Sequence, residues 1–134
     1  MPLPSAGLGN KLDGVHPELE DKILNVLSAM EALGFPMFVF EGIRSQKRQE
    51  ELYAQGRSKP GNIVTHINGV TKKSNHQAKE DGFGYAVDCV FVENGKPSWS
   101  LNSPWKLYGE CVKSQGLKWG GDFKRLVDYP HAEL

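Results

Sequence analysis

The spacing of apolar and polar positions divides the chain into helical, extended and irregular segments. Apolar residues recur at helical spacing over residues 17–33, with acidic residues in the first turn and a glycine after the last, which predicts an amphipathic helix. A second helix is predicted over residues 45–55, with a serine cap and a glycine stop. A third is predicted to open with Ser103 as its cap and Pro104 at its first position, and to end near Gly116.

Short extended segments lie between these helices. Residues 37–40 form an apolar run bounded by proline and glycine, and residues 85–92 have strand character. The Glu-Asn-Gly-Lys sequence at 93–96 predicts a hairpin turn, because Asn-Gly tolerates positive φ. Residues 56–84 lack periodicity and predict a long loop, which inside a compact domain is usually functional. The order of elements predicts an α+β fold, a mainly antiparallel sheet with about three flanking helices.

Composition limits the function classes. A chain of 134 residues fits one domain, expected to span residues 1–134, and 39% hydrophobic with 24% charged residues is typical of a soluble protein. Sixteen basic and sixteen acidic residues cancel, so we expect no binding to nucleic acid or to a membrane through overall charge. No run approaches the roughly 18 apolar residues that span a bilayer. A monomer is expected.

Cysteine usage and the first residues bear on compartment. Cys89 and Cys111 have no metal-binding spacing; they could pair, but two buried free thiols are favoured. The first residues, Met-Pro-Leu-Pro-Ser-Ala-Gly, have neither a basic start nor an apolar core, so no signal peptide is indicated. We expect a protein made in the cytoplasm that another agent must deliver to any substrate outside it.

Candidate metal ligands are few, because the chain has four histidines. A catalytic zinc needs three protein ligands and one open position for water. His76 ends the long loop, Asp88 interrupts an apolar strand, and His131 lies near the C-terminus. An aspartate inside such a strand is costly unless something positive compensates it, and a metal would do so. Asp88 could instead cap a turn or pair with Arg44.

The two other histidines and a nearby carboxylate complete the inventory of candidates. His66 is a rival ligand, whereas His16, beside a proline at the start of the first predicted helix, is interpreted as a surface or capping residue. Asp128 precedes His131 by three residues, and Pro130 stiffens the approach to that histidine. Asp128 could thus reach the open side of the metal without being a ligand, and act there as a general base.

Several motifs together resemble a known family. They are Ser74-x-His76, Gly84-x-Ala86-x-Asp88, Trp119-Gly-Gly-Asp-Phe and Asp128-x-Pro130-His131, with related segments at 42–45, 49–57 and 60–65. In this order they resemble the D-Ala-D-Ala carboxypeptidase/L-alanyl-D-glutamate peptidase family, the VanY-like M15 peptidases, which include phage endolysins. The similarity covers roughly residues 17–134, nearly the whole chain.

The resemblance implies both a site and a fold. It implies Zn²⁺ on His76, Asp88 and His131, with Asp128 as general base, in a hedgehog/DD-peptidase-like fold. Arg44 matches an arginine near the metal, and its chemistry suits polarising the scissile carbonyl or holding the oxyanion; the alternative is a structural ion pair with an aspartate.

Other matched positions receive supporting roles. Ser74 is expected to orient the following histidine ligand or to bind substrate. Gln49 and Tyr53 are expected to brace the site or the second helix, and Trp119 to pack over the core.

The chain departs from the family pattern after His76. Seven residues, 77–83, separate that histidine from the glycine of the next motif, where the family pattern has two. We expect a polar surface bulge, because loop insertions cost little closure entropy, and a changed rim for substrate preference. Glu80 and Asp81 could form a second metal site, but a solvated charge cluster is favoured.

The function implied by the resemblance is zinc-dependent hydrolysis in the peptide stems of bacterial peptidoglycan. The sequence favours an L-alanyl-D-glutamate endopeptidase acting as a phage endolysin, released to the periplasm or cell wall. The alternatives are a D-Ala-D-Ala carboxypeptidase, which cuts a neighbouring bond, and a non-catalytic, zinc-stabilised wall-binding module. Asp128 argues against the last, because a structural zinc site has no need of a base.

Overall fold

The elements of the fold are those of a computed structural model that describes residues 11–134. In chain order they are α1 (Pro17–Ala32), β1 (Met37–Glu41), α2 (Gln46–Ala54), β2 (Ala86–Glu93), β3 (Lys96–Ser98), α3 (Trp105–Ser114), β4 (Lys118–Trp119), a short 3-10 helix (Gly120–Asp122) and β5 (His131–Glu133). Each paired strand runs antiparallel to its neighbour. The predicted α+β class, with an antiparallel sheet and three helices, is confirmed.

The sheet is organised around β2. Its strands follow the order β1-β2-β5-β4, and β3 pairs with the C-terminal part of β2. The β2–β3 connection is the predicted hairpin, with φ of 54° at Asn94 and 75° at Gly95. The final segment forms two strands rather than one. β5 lies between β4 and β2 and pairs with both of them.

The helix boundaries follow the capping chemistry with one exception. The ring of His16 caps α1 by accepting from Glu18 N at 3.1 Å, and Ser45 Oγ caps α2 by accepting from Arg48 N at 3.1 Å. The prediction for α3 was wrong in detail: Pro104 is itself the cap residue, and no side chain caps this helix. Its first turn closes instead on backbone carbonyls, with Tyr108 N donating to Pro104 O at 3.2 Å.

The core lies where α1 and α3 pack together and against the sheet. It includes Cys89, which is fully buried, whereas Cys111 is partly exposed. Both thiols are free, as favoured from the sequence, but the prediction that both are buried is wrong for Cys111. Burial raises the pKa of Cys89 to about 12, so this thiol is inert. Across residues 11–134, no helix has the length and apolar character that a membrane span requires.

The predicted long loop connects α2 to β2 and contains the segment 77–83, which has seven residues where the family pattern has two. Four residues of the insertion, 79–82, are exposed and form a turn that is closed by Lys79 N donating to Phe83 O at 3.0 Å. The insertion is not polar surface throughout, because Gln77 is buried. Its side chain accepts from Ser74 N at 2.9 Å and donates to Gly69 O at 3.2 Å, so it links two separate positions of the same loop.

Candidate metal centre

The register of the central strands brings two of the predicted ligands together. Asp88 on β2 is paired with Glu41 on β1 and, across its other edge, with His131 on β5. Side chains of directly opposed residues lie on the same face of a sheet, about 4.5–5.5 Å apart at Cβ. Asp88 and His131 therefore meet because of strand pairing alone.

The third predicted ligand is placed by the turn after β1. His76 Nδ1 lies 2.9 Å from Gly42 O, and Arg44 N donates to His76 O at 2.7 Å. Ser74 Oγ accepts from His76 N at 3.2 Å. Gly42 is required for close approach, since a Cβ there would lie 2.2 Å from Lys11 O. The ring of His76 is thus fixed although it belongs to a loop.

The three potential ligand atoms form a nearly equilateral triangle. His76 Nε2 lies 3.2 Å from His131 Nδ1 and 3.3 Å from Asp88 Oδ1, and the last two atoms are 3.5 Å apart. Ligand atoms around a tetrahedral zinc, at bonds of about 2.0–2.1 Å, lie about 3.3–3.4 Å apart. The triangle therefore has the size of one face of a zinc tetrahedron.

The hydrogen bonds behind the histidines select the ring nitrogens that face inward. Gly42 O and the carboxylate of Glu133 can only accept, so His76 Nδ1 and His131 Nε2 must be the protonated nitrogens. His76 Nε2 and His131 Nδ1 are then the nitrogens that face each other and remain for a metal ion. Imidazole rings oriented in this way by acceptors behind them are typical of metal sites.

Asp88 provides the strongest test of whether a cation fits here. Its Oδ1 is buried and has no hydrogen-bond partner among the described residues, yet it lies within 3.5 Å of both inward-facing nitrogens. Although burial opposes ionisation, His76 and His131 hold the pKa of Asp88 well below its usual range. A buried, ionised oxygen without a donor fits a metal ligand. The residues present therefore fit a zinc ion with one open position.

Asp128 lies beside this triangle without being part of it. Its Oδ2 is 3.7 Å from His131 Nδ1, and 45% of its side chain is exposed. Burial of the carboxyl group and the negative charge of Asp88 raise the pKa of Asp128 to about 6. A carboxyl group with such a pKa can accept and return a proton near neutral pH.

Two side-chain hydrogen bonds hold the turn that carries Asp128 and His131. Tyr108 Oη donates to Pro130 O at 2.8 Å, and Trp119 Nε1 donates to Tyr129 O at 2.8 Å. Trp119 is buried, as predicted, and its indole nitrogen also holds this turn. Gly120 packs closely against this turn, so a Cβ at this position would be 2.2 Å from Asp128 O.

Arg44 lies on the other side of Asp88 and is held by two partners. Its Nε donates to Glu41 Oε1 at 2.7 Å and its Nη1 donates to Gln49 Oε1 at 2.8 Å. Its Nη2 is 3.7 Å from Asp88 Oδ2, so the ion pair considered from the sequence is present, with Glu41 as the closer partner. Gln49 is fully buried and braces this arginine.

The alternatives weighed from the sequence lie elsewhere. His66 is exposed beside Arg57, with 3.5 Å between its Nδ1 and Arg57 Nη2, and it is not in the triangle. Asp81 accepts from Phe83 N at 3.0 Å and from the Tyr85 hydroxyl, so it closes the insertion turn instead of forming a second metal site. The guanidinium carbon of Arg57 lies 3.9 Å from the centre of the Tyr53 ring, and this contact braces the end of α2.

Two further residues of the site escaped the sequence analysis. Glu133 Oε1 lies 2.7 Å from His131 Nε2, and Asn75 donates to Glu133 Oε2 at 2.8 Å. The available signal was position: Glu133 follows His131 by two residues, and alternate residues of a strand share a face. That signal has meaning only once residues 131–133 are known to be a strand.

The triangle opens into a cleft of about 810 Å³. The long loop contributes the exposed residues Ile63 and Val64 to its lining, and the segment before Asp128 contributes Leu126 and Val127. Arg44, Asp128 and the three potential ligands also line this cleft. Its volume is in the range of pockets that bind small molecules, roughly 300–1,000 Å³.

Known proteins match this chain in sequence and in structure. A family model described as D-alanyl-D-alanine carboxypeptidase matches residues 68–134. The peptidoglycan L-alanyl-D-glutamate endopeptidase CwlK of Bacillus subtilis (strain 168) is 34% identical over 143 residues, which cover 100% of this chain and 77% of CwlK. The L-alanyl-D-glutamate peptidase of Listeria phage A118 is 26% identical over 111 residues, which cover 81% of this chain and 34% of that protein.

Among solved structures, the Serratia marcescens L-Ala D-Glu endopeptidase ChiX superposes with a TM-score of 0.61. It is 30% identical, and the match covers 92% of this chain and 82% of ChiX. The fold that the resemblance implied is therefore confirmed.

Proposed function

This chain belongs to the M15 family of peptidases, and from that premise we propose that it hydrolyses the L-alanyl-D-glutamate bond of peptidoglycan peptide stems with a zinc ion. It is a peptidoglycan peptidase; the bond and the metal are the proposed refinements. The bond is supported by CwlK and ChiX, both of which are named for that activity. The D-alanyl-D-alanine carboxypeptidase description of the family model favours a second candidate, which uses the same chemistry on a neighbouring bond.

The observation that carries the zinc proposal is the buried, unpartnered Oδ1 of Asp88 between two inward-facing histidine nitrogens. His76, Asp88 and His131 would hold the ion, and the cleft leaves its fourth position open to solvent and substrate. When bound, zinc supplies Lewis acidity that lowers the pKa of water and polarises a carbonyl oxygen.

Asp128 is the proposed general base. It borders the open side of the triangle, and its exposed fraction leaves it accessible to water and to a substrate amide. Its carboxylate would take a proton from the attacking water and return it to the amine that leaves. A raised pKa suits both halves of that exchange near neutral pH.

Arg44 is the proposed electrostatic partner of the substrate carbonyl. Glu41 and Gln49 occupy Nε and Nη1, so the guanidinium cannot rotate freely, and Nη2 remains on the side of the metal triangle. A charged donor fixed in advance stabilises a developing oxyanion without reorganisation. Ser74, whose hydroxyl already accepts from His76 N, is proposed to act through that ligand, although it also lines the cleft.

The biological setting is also part of the proposal. We propose a single-domain, monomeric phage endolysin that acts on the peptide stems at the cell wall. The Listeria phage relative supports a phage setting, although this chain spans about a third of its length. The bacterial sources of CwlK and ChiX make a host enzyme of wall remodelling the competing setting.

Mass spectrometry of muropeptides after digestion tests the proposed bond. Cleavage between L-alanine and D-glutamate leaves a free L-alanine carboxyl group on the glycan and releases a peptide that begins with D-glutamate. Loss of terminal D-alanine alone would refute the endopeptidase proposal and support the carboxypeptidase.

The variant Asp128→Ala separates metal binding from catalysis. It should bind zinc with the stoichiometry of the parent and lose at least about 10²-fold in kcat. Undiminished hydrolysis by this variant would show that another group is the base.

A further inference from the structure

We propose that Glu133 is a positioning residue, which holds the ring of His131 toward the metal and ties it to the loop that carries His76. The proposal rests on the proposed zinc site and concerns a residue outside the ligand set. It is motivated by a carboxylate that joins both histidine segments through its two oxygens: Oε1 lies 2.7 Å from His131 Nε2, and Oε2 accepts from Asn75 at 2.8 Å.

Strand geometry places Glu133 where it can act on the ring. His131 and Glu133 are alternate residues of β5, so their side chains share one face of the sheet. Glu133 is paired with Ala86 and His131 with Asp88, two positions apart on β2. The backbone therefore fixes the separation of Glu133 and the ring before any metal binds.

The chemistry of Glu133 determines which nitrogen faces the site. Only 12% of its side chain is exposed, and its Oε1 lies 2.7 Å from His131 Nε2. A carboxylate oxygen accepts a hydrogen bond, so His131 Nε2 is the nitrogen that donates to Glu133 and Nδ1 is the nitrogen left for a metal.

The second oxygen connects the sheet to the long loop. Asn75, which donates to it, directly precedes His76, and Asn75 O accepts from Tyr85 N at 2.7 Å. The loop end is thereby held at two neighbouring positions, by Glu133 at Asn75 and by Ser74 at His76 N. Glu133 thus holds His131 directly and constrains His76 through its neighbour.

Metal affinity is the direct measure of this role. We expect Glu133→Ala to weaken zinc binding by about 10- to 100-fold in chelator competition. Glu133→Gln keeps an acceptor for His131 Nε2, and a flipped Asn75 amide can accept from its new N–H, so it should recover most of the affinity. Asn75→Ala, which leaves the contact with His131, should give a smaller loss than Glu133→Ala.

Controls separate positioning from a general effect on folding. Glu110→Gln removes an exposed carboxylate on α3 and should bind zinc like the parent. The metal-free variants should unfold well above the temperature of the binding assay, and the cobalt(II) spectrum of Glu133→Ala should differ from that of the parent. The glutamine variant and Asn75→Ala keep the proposal testable if Glu133→Ala does not fold.

The outcomes distinguish this inference from the proposed function. A parent protein that binds no zinc overturns the proposed function itself. If the parent binds zinc and Glu133→Ala binds it equally well, the role of Glu133 is overturned alone. A glutamine variant as weak as the alanine variant also overturns it, because charge and not orientation would then set the affinity.

Discussion

Replacement of Gly120 by alanine should damage the site while most of the fold remains. A Cβ at this position would lie 2.2 Å from Asp128 O and 2.7 Å from His131 Cβ. Carbon–oxygen contacts of this kind are about 3.3 Å or longer, so the turn that carries Asp128 must move by about 1 Å. A misplacement of about 1 Å can cost about 10²-fold in rate, and overpacking costs typically about 1–3 kcal/mol of stability.

The assay is steady-state cleavage of a defined muropeptide with saturating zinc, below the melting temperature of the variant. We expect kcat to fall by about 10²-fold and zinc affinity to fall with it, because His131 moves with the turn.

Gly82→Ala is the matched control for this prediction. It has no heavy atom within 4 Å of its Cβ but a φ of +82°, so it should lose about 1–2 kcal/mol of stability with unchanged kcat. A Gly120→Ala enzyme that keeps kcat within about threefold of the parent would contradict this prediction, since the displacement would then not reach the catalytic groups.

Three further predictions, two for substitutions and one for pH, follow from the contacts around the site. Gln49→Leu leaves Arg44 Nη1 and Ile67 O without their present partner, so urea denaturation should show a loss of about 1–3 kcal/mol for each unpaired group. Tyr108→Phe should cost only about 0.5–1.5 kcal/mol in the same assay, because Pro130 O still accepts from Cys89 N; a larger loss would contradict this. Burial disfavours the protonated ring of His131, but contacts with Asp88 and Glu133 raise its pKa to about 9 in the metal-free protein. Zinc must therefore displace a proton from this ring at neutral pH. Calorimetric titrations should show zinc affinity rising up to about pH 9, with a proton released at pH 7.

The three candidate ligands could be selected from the sequence because each carried a local signal. Asp88 interrupts an apolar strand, where a carboxylate is costly without a positive partner. His76 and His131 stood out because the chain has four histidines and the motifs around these two were ordered like those of a known family. What the sequence could not supply was the register that pairs Asp88 with His131, because it depends on long-range strand pairing.

The supporting residues were harder to predict because their partners are remote in sequence. Gln49 is one example: it was expected to brace the site or its helix, but nothing in its own segment indicates that its side chain is buried and reaches Arg44 and Ile67 O. Gln77 is another, since it was grouped with the polar insertion yet lies inside the loop. Polar side chains of this kind replace the regular backbone pairing that a long loop lacks.

The three proposed ligands are held unequally, and this inequality leads to a last prediction. Asp88 and His131 lie on paired strands, whereas His76 depends on hydrogen bonds from one loop to a turn. Zinc would add a bond between that loop and the sheet, so its removal should loosen the loop more than the strands. Hydrogen exchange of zinc-loaded and chelated protein should show lost protection at 74–85, with little change at 86–93. An equal loss of protection in both segments would contradict this prediction, because the metal would then stabilise the whole fold and not mainly the loop.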